Sequence, residues 1–196
     1  MTIPLTKPLR NWDPVVKLTH WSIVAAVLAN GAFTEGGSWP HIWVGYALTG
    51  MLALRLLWGL VGPREARFSA FPPSLSRALA HIREIKAGKV HDQSSHNPLG
   101  ALMVYAIWGT LGMIIASGIA MAGLPPKAVS HDRHAVQQVA PDHGEEREGE
   151  ENPLGEAHEA AVNLLYVLIV LHLGGVIFET HRSGRGLVLA MLPGRR

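Results

Sequence analysis

Four histidines, His20, His41, His158 and His172, fall within or at the edge of the long apolar stretches of this 196-residue chain. An ionisable side chain at membrane depth is expensive to bury and marks a functional site by default. His158 and His172 are fourteen residues apart. On a helix that is about 3.9 turns, so the two imidazoles project within about 40° of each other and roughly 21 Å apart along the axis. One helix therefore offers two imidazoles at two depths. The chain has no cysteine, which excludes disulfides, Cys-ligated zinc, iron–sulfur clusters and a haem attached through C-x-x-C-H. Paired imidazoles in an apolar four-helix interior, with no carboxylate nearby, suit a non-covalently held b-type haem with both axial positions filled. Zinc is disfavoured, because a structural zinc site gathers about four ligands and a catalytic one about three.

The elements that must position these histidines are membrane spans. Charged residues make up 16% of the chain, against about a quarter in an ordinary soluble domain. Four runs are long enough for a bilayer, which takes roughly 17–25 helical residues: Leu18–Thr34, His41–Val61 with Arg55 as its single charge, Pro98–Gly123 and Ala160–Phe178. Three comparable runs follow the first, which therefore reads as a span and not as a cleavable signal. Asp13-Pro14 and Ser38-Trp39-Pro40 are start signals, a capping side chain with a proline allowed in the first turn. The fold class is an all-α membrane protein, a single four-transmembrane-helix bundle over 1–196. Its helices span about 14–34, 40–61, 98–123 and 153–180, joined by loops 62–97 and 124–152.

Charge fixes the expected orientation. Lys7, Arg10, Lys17, Arg55, Arg64, Arg67, Arg77, Arg83, Lys86, Lys89, Arg182, Arg185, Arg195 and Arg196, fourteen of the seventeen basic residues, fall on one side. Lys127, Arg133 and Arg147 fall on the other with ten of the fifteen acids. By the positive-inside rule both termini and the 62–97 loop are cytoplasmic and the acidic 124–152 loop is outside. The basic residues are thus a topology signal, which argues against nucleic acid as a partner despite a pI near 9.2.

Depth then pairs the histidines. His20 lies six residues past Pro14 and His172 seven before Glu179, roughly 9 and 10 Å from the same inner boundary. His41 and His158 both sit in the first turns of helices that start outside. Two sites follow, an inner one at His20/His172 and an outer one at His41/His158. Arg55, fourteen residues after His41, has two readings: a guanidinium for the inner haem's propionates, or an arginine snorkelling to the surface. Gly31, Gly45, Gly50, Gly109, Gly112 and Gly118 allow close helix approach or make room for a macrocycle. Trp12, Trp21, Trp39, Trp43, Trp58 and Trp108 lie mostly near helix ends, as interfacial belts require. In the 62–97 loop, Arg64, Arg67, Arg77, Arg83 and Lys86 around Phe68, Phe71 and Leu75 read as a short helix on anionic headgroups. His81, His91 and His181 read as surface residues.

Trp12-Asp13-Pro14, Leu18-Thr19-His20-Trp21, His41-x-x-x-Gly45-Tyr46, Arg55-Leu56-Leu57-Trp58-Gly59, Gly62-Pro63-Arg64, His96-Asn97-Pro98-Leu99-Gly100, and His158-Glu159 with His172 together resemble the prokaryotic cytochrome b561 family. That family includes the b-type cytochrome subunits of nickel–iron hydrogenases and formate dehydrogenases. The resemblance covers about residues 10–181. It implies a diheme core in the bacterial inner membrane that exchanges electrons between the quinone pool and a partner, with His20, His41, His158 and His172 at the family's ligand positions. In the formate dehydrogenase branch an Asn-Pro at the inner start of the third span lies by the quinone, which would place Asn97 there beside His96 and Gly100. Read from its own neighbours, Asn97 is an N-cap ahead of Pro98.

The long acidic outer loop departs from the family pattern. His131, His134 and His143 lie there among Asp132, Asp142, Glu145, Glu146, Glu148, Glu150 and Glu151. This loop reads as a solvated segment, as a metal site at His131-x-x-His134, or as an acidic patch that steers a basic redox protein. The expected function is transmembrane electron transfer by a diheme b-type cytochrome, a component of a quinone-linked oxidoreductase. Its expected partners are membrane quinone or quinol, the lipid bilayer and an extracytoplasmic redox protein, either a c-type cytochrome or a hydrogenase-like subunit. Bis-histidine coordination leaves no open iron position, so no side chain is expected to act catalytically on a substrate. The alternative is a haem-free four-helix anchor or a metal-ion transporter. A transporter predicts intramembrane carboxylates and internal repeats, and the sequence has neither.

Overall fold

The computed structural model of the chain describes residues 13–87, 97–123, 153–184 and 186–191. Outside these lie the terminal basic residues Lys7, Arg10, Arg195 and Arg196, together with Trp12, Lys89, Arg185, His91, His96, and the 124–152 loop with its histidines and acids. The helices are α1 (Pro14–Ala32), α2 (Trp39–Val61), α3 (Leu75–Lys86), α4 (Pro98–Ala122), α5 (Pro153–Ser183) and α6 (Gly186–Met191). Four of them, α1, α2, α4 and α5, are long and apolar enough to cross a membrane. The first ends two residues earlier than the sequence suggests and the fourth runs three further.

The starts form where the sequence supplies acceptors. Asp13 Oδ1 accepts from the Val15 and Val16 amides at 2.9 and 3.2 Å. Ser38 Oγ accepts from the His41 amide, and Asn97 Oδ1 from the Gly100 amide at 2.6 Å. Each satisfies an amide that the first turn leaves without a partner, in favour of a sharply placed helix end. Asp13 also receives the Trp58 indole N–H at 2.9 Å, which ties the start of α1 to the end of α2.

α1 packs along α2, and α4 along α5; contact between these two pairs is sparser and closest from α2 to α4. The buried core is a layer of Leu48, Leu52, Leu111 and Leu165, flanked by Ile23, Val27, Ile107, Ile114, Ile115 and Ile169. Leu165 is seven residues from His158 and seven from His172, so this leucine layer lies midway between the two histidine levels.

The 62–86 segment departs from the expected headgroup helix. After two short 3-10 turns (Arg64–Ala66 and Phe68–Ala70), only α3 fits that description, with Leu75 and Leu79 exposed beside Arg77, Arg83 and Lys86. Phe68 and Phe71 turn inward instead. They stack with Tyr105 and Trp108 of α4 at ring-centre separations of 5.7–6.4 Å. Trp108 is accordingly half-buried against the core and not part of an interfacial belt. His81 is likewise buried, 3% exposed, because α3 lays that face against α4. Gly59 explains the entry of Phe68: a Cβ there would collide with its ring. Gly59→Ala is expected to destabilise the protein by about 1–3 kcal/mol through overpacking, read as a lower Tm in detergent; an unchanged Tm would mean that Phe68 is not seated there.

A second element unexpected from the sequence is α6, whose Met191 carbonyl accepts the Trp21 indole N–H at 2.9 Å. Trp21 thereby has a specific partner in addition to its place near the helix end.

Candidate functional site

The structure brings the four histidines together in two pairs. The ring centres of His20 (α1) and His172 (α5) are 6.5 Å apart, with planes inclined at 54°. Those of His41 (α2) and His158 (α5) are 6.3 Å apart, inclined at 62°. A residue near the start of α1 thus meets one near the end of α5, while residues near the starts of α2 and α5 meet each other. α5 therefore runs antiparallel to α1 and parallel to α2, and the start of α1 and the end of α5 lie at the same end of the bundle.

The separation is informative. A metal–imidazole bond is about 2.0–2.1 Å, and the ring centre lies about 1.1–1.2 Å beyond the nitrogen, so two imidazoles on opposite sides of one metal have centres about 6.2–6.6 Å apart. Both pairs stand at that distance. Among the described residues no group of three or more His, Cys, Asp or Glu could hold a metal ion. Each pair can therefore supply two ligands and no more, and the remaining equatorial positions would have to come from the bound group. A haem has that donor set. Gly45, one turn from His41 on the same helix face, adds room: a Cβ there would meet nothing within 4 Å. Gly112 is open in the same way, Gly50 and Gly109 are open because they lie on the exposed outer surface of their helices, and Gly31 lies against Tyr166, where a Cβ would come within 2.7 Å of the hydroxyl. The glycines therefore divide among interior room, exposed helix surface and close helix approach.

The outer pair is held by hydroxyls. Ser117 Oγ on α4 lies 2.9 Å from His158 Nδ1. Thr34 Oγ1, just past the end of α1, lies 3.3 Å from His41 Nδ1, and Asn30 Nδ2 donates to the His41 carbonyl at 3.1 Å. Gly118 is where the His158 ring meets α4, a Cβ there lying 3.4 Å from Cε1. Nearby, the Tyr46 hydroxyl donates to the Gly123 carbonyl and joins α2 to the outer end of α4. At the inner pair His20 makes an edge contact with Trp21 at 5.6 Å. Among the described residues neither His20 nor His172 has a hydrogen bond at a ring nitrogen.

Arg55 is 5% exposed and does not reach out to water. Both terminal nitrogens donate to the Ala66 carbonyl at 3.4 Å, and its guanidinium lies 4.9 Å from the centre of the Trp108 ring. Asn97 caps α4 as its own neighbours suggest.

Sequence reasoning overlooked Ser117 and Thr34. The signal was present, since each is a hydroxyl near the outer end of an apolar run, at the depth of His158 and His41. The depth matching that pairs the histidines would have found both.

A family model described as prokaryotic cytochrome b561 matches residues 11–194. No curated protein and no solved structure matches the chain.

Proposed function

The chain belongs to the prokaryotic cytochrome b561 family, and from that premise we propose a diheme cytochrome that links the quinone pool to an extracytoplasmic redox partner across the bacterial inner membrane. Membership makes it a multi-pass membrane b-type cytochrome that binds haem b and transfers electrons, so the haem-free anchor and the metal-ion transporter lapse. The observation that carries the diheme reading is the repetition of one geometry: two imidazole pairs at 6.5 and 6.3 Å, each with one member on α5, where His158 and His172 are fourteen residues apart.

In this reading His20 and His172 hold the inner haem, and His41 and His158 the outer. Each bound haem supplies a one-electron ferric/ferrous couple with no open coordination position. The chain's own residues do the rest. α5 sets the spacing between levels, the leucine layer excludes water between them, and Arg55 offers a cation to an inner propionate while Trp108 supports its guanidinium. Quinol oxidation releases two electrons and two protons; the inner end of the bundle, where Asn97 starts α4, is the proposed place for quinone. Both termini are assigned to the cytoplasm by the basic residues at that end, and the acidic 124–152 segment to the face where a basic partner would arrive.

The test is a reduced-minus-oxidised spectrum of purified protein with a haem count, followed by anaerobic addition of a short-chain quinol. Two b haems per chain, both reduced by quinol, are expected. One haem per chain would overturn the diheme assignment, and two haems that quinol leaves oxidised would overturn the quinone link.

A further inference from the structure

We infer that Ser117 and Thr34 are positioning residues, which fix His158 and His41 as Nδ1–H tautomers, present both Nε2 atoms to the outer iron, and lower that haem's potential. The inference rests on the reading of His41 and His158 as ligands and extends it to residues that the pairing does not name.

The tautomers follow from where the hydroxyl protons go. A serine hydroxyl has one. Ser117 Oγ lies 2.8 Å from the Met113 carbonyl and 3.1 Å from that of Ile114, both within its own helix. Its proton goes to that carbonyl pair, and its lone pairs are left to face His158 Nδ1 at 2.9 Å. The imidazole must then be the donor, with the hydrogen on Nδ1 and the free lone pair on Nε2. Thr34 repeats the arrangement with longer bonds. Its proton has two acceptors in Asn30, the carbonyl at 3.3 Å and Oδ1 at 3.2 Å, which leaves a lone pair for an N–H on His41 Nδ1, 3.3 Å away. Asn30 Nδ2 in turn holds the His41 carbonyl, so the ligand and its acceptor belong to one network.

A histidine that donates its second ring N–H is oriented by that bond and becomes a more basic ligand. A more basic axial ligand favours the ferric state, so the potential falls. The inner histidines have no such bond among the described residues, so the effect is confined to one haem.

The experiment is a potentiometric titration of the purified holoprotein in membranes or detergent. Ser117→Ala is expected to shift the ferric/ferrous equilibrium of one haem towards ferrous by threefold to tenfold, an upward move of roughly 30–60 mV for a one-electron couple, with the other haem unmoved. Thr34→Val should move the same haem in the same direction by less, and Ser117→Thr, which keeps the hydroxyl, should restore it. No shift in either hydroxyl-deleted variant, or equal shifts of both haems, overturns the inference. If Ser117→Ala assembles with a single haem, the Thr34→Val potential decides by the same criterion. His158→Ala separates the two levels of the argument. Retention of two haems there would defeat the ligand assignment itself, whereas loss of one haem together with unmoved potentials in the hydroxyl variants would defeat only the role of Ser117 and Thr34.

Discussion

His158→Ala is expected to purify with one b haem per chain instead of two, and the remaining haem should keep its spectrum and potential. The substitution removes one of two axial nitrogens, and among the described residues none stands ready to replace it: Ser117, the nearest polar group, is a hydroxyl engaged with its own helix. His172 is two full heptads away on the same helix, so its pair should survive. His41→Ala should give the same half-loss. The double variant should be no worse than either single one, because two residues that hold one group act as a unit. His20→Ala and His172→Ala should remove the other haem by the same logic. A haem assay per mole of protein checks all five variants. A single variant that keeps two haems would show that its histidine is structural, and full loss in every variant would show that the sites fold together.

Arg55→Leu should lower the potential of the inner haem by about tenfold in its ferric/ferrous equilibrium, ~60 mV for one electron, and Arg55→Lys by much less. A buried cation is costly unless it is partnered. Arg55 has a shared carbonyl at the outer limit of hydrogen bonding, an aromatic face and the Asp13 carboxylate within electrostatic range but not hydrogen-bonded to it, which leaves much of a five-donor fork for a directly bonded anion such as a propionate. The sign follows from charge: a nearby cation stabilises the ferrous form, which carries one more electron. Potentiometry resolves the two haems. Unchanged potentials with a lowered Tm would reduce Arg55 to a packing role against Trp108 and the 62–71 segment.

The features legible in the sequence share a physical character. The four spans, the caps at Asp13, Ser38 and Asn97, and the fourteen-residue histidine repeat are local or periodic, and bilayer thickness converts position in the chain directly into depth. That conversion let histidines far apart in sequence be matched before any contact was known. The parts that were not legible depend on side chains folding back over distances that periodicity does not encode. Phe68 and Phe71, three residues apart among arginines, have the pattern of a headgroup helix, and only the bare Gly59 surface with Tyr105 and Trp108 behind it draws them inward. His81 follows them into burial for the same reason. Ser117 was hidden by chemistry, since a serine in an apolar helix is equally a small residue for close packing, and its partner is 41 residues away.

The leucine layer between the two histidine levels has an electrical consequence. Leu48, Leu52, Leu111 and Leu165 form a dry insulating septum that gives hydrated protons no relay, while an electron needs no wet path. With both haems in place, an electron passing from one level to the other would traverse roughly 21 Å of helix rise out of about 30 Å of hydrocarbon. About two-thirds of a charge would then be displaced through the field, worth ~1.5 kcal/mol per 100 mV of membrane voltage. That electron step would be electrogenic, and a cell's resting voltage would assist electron flow towards one face and oppose it towards the other.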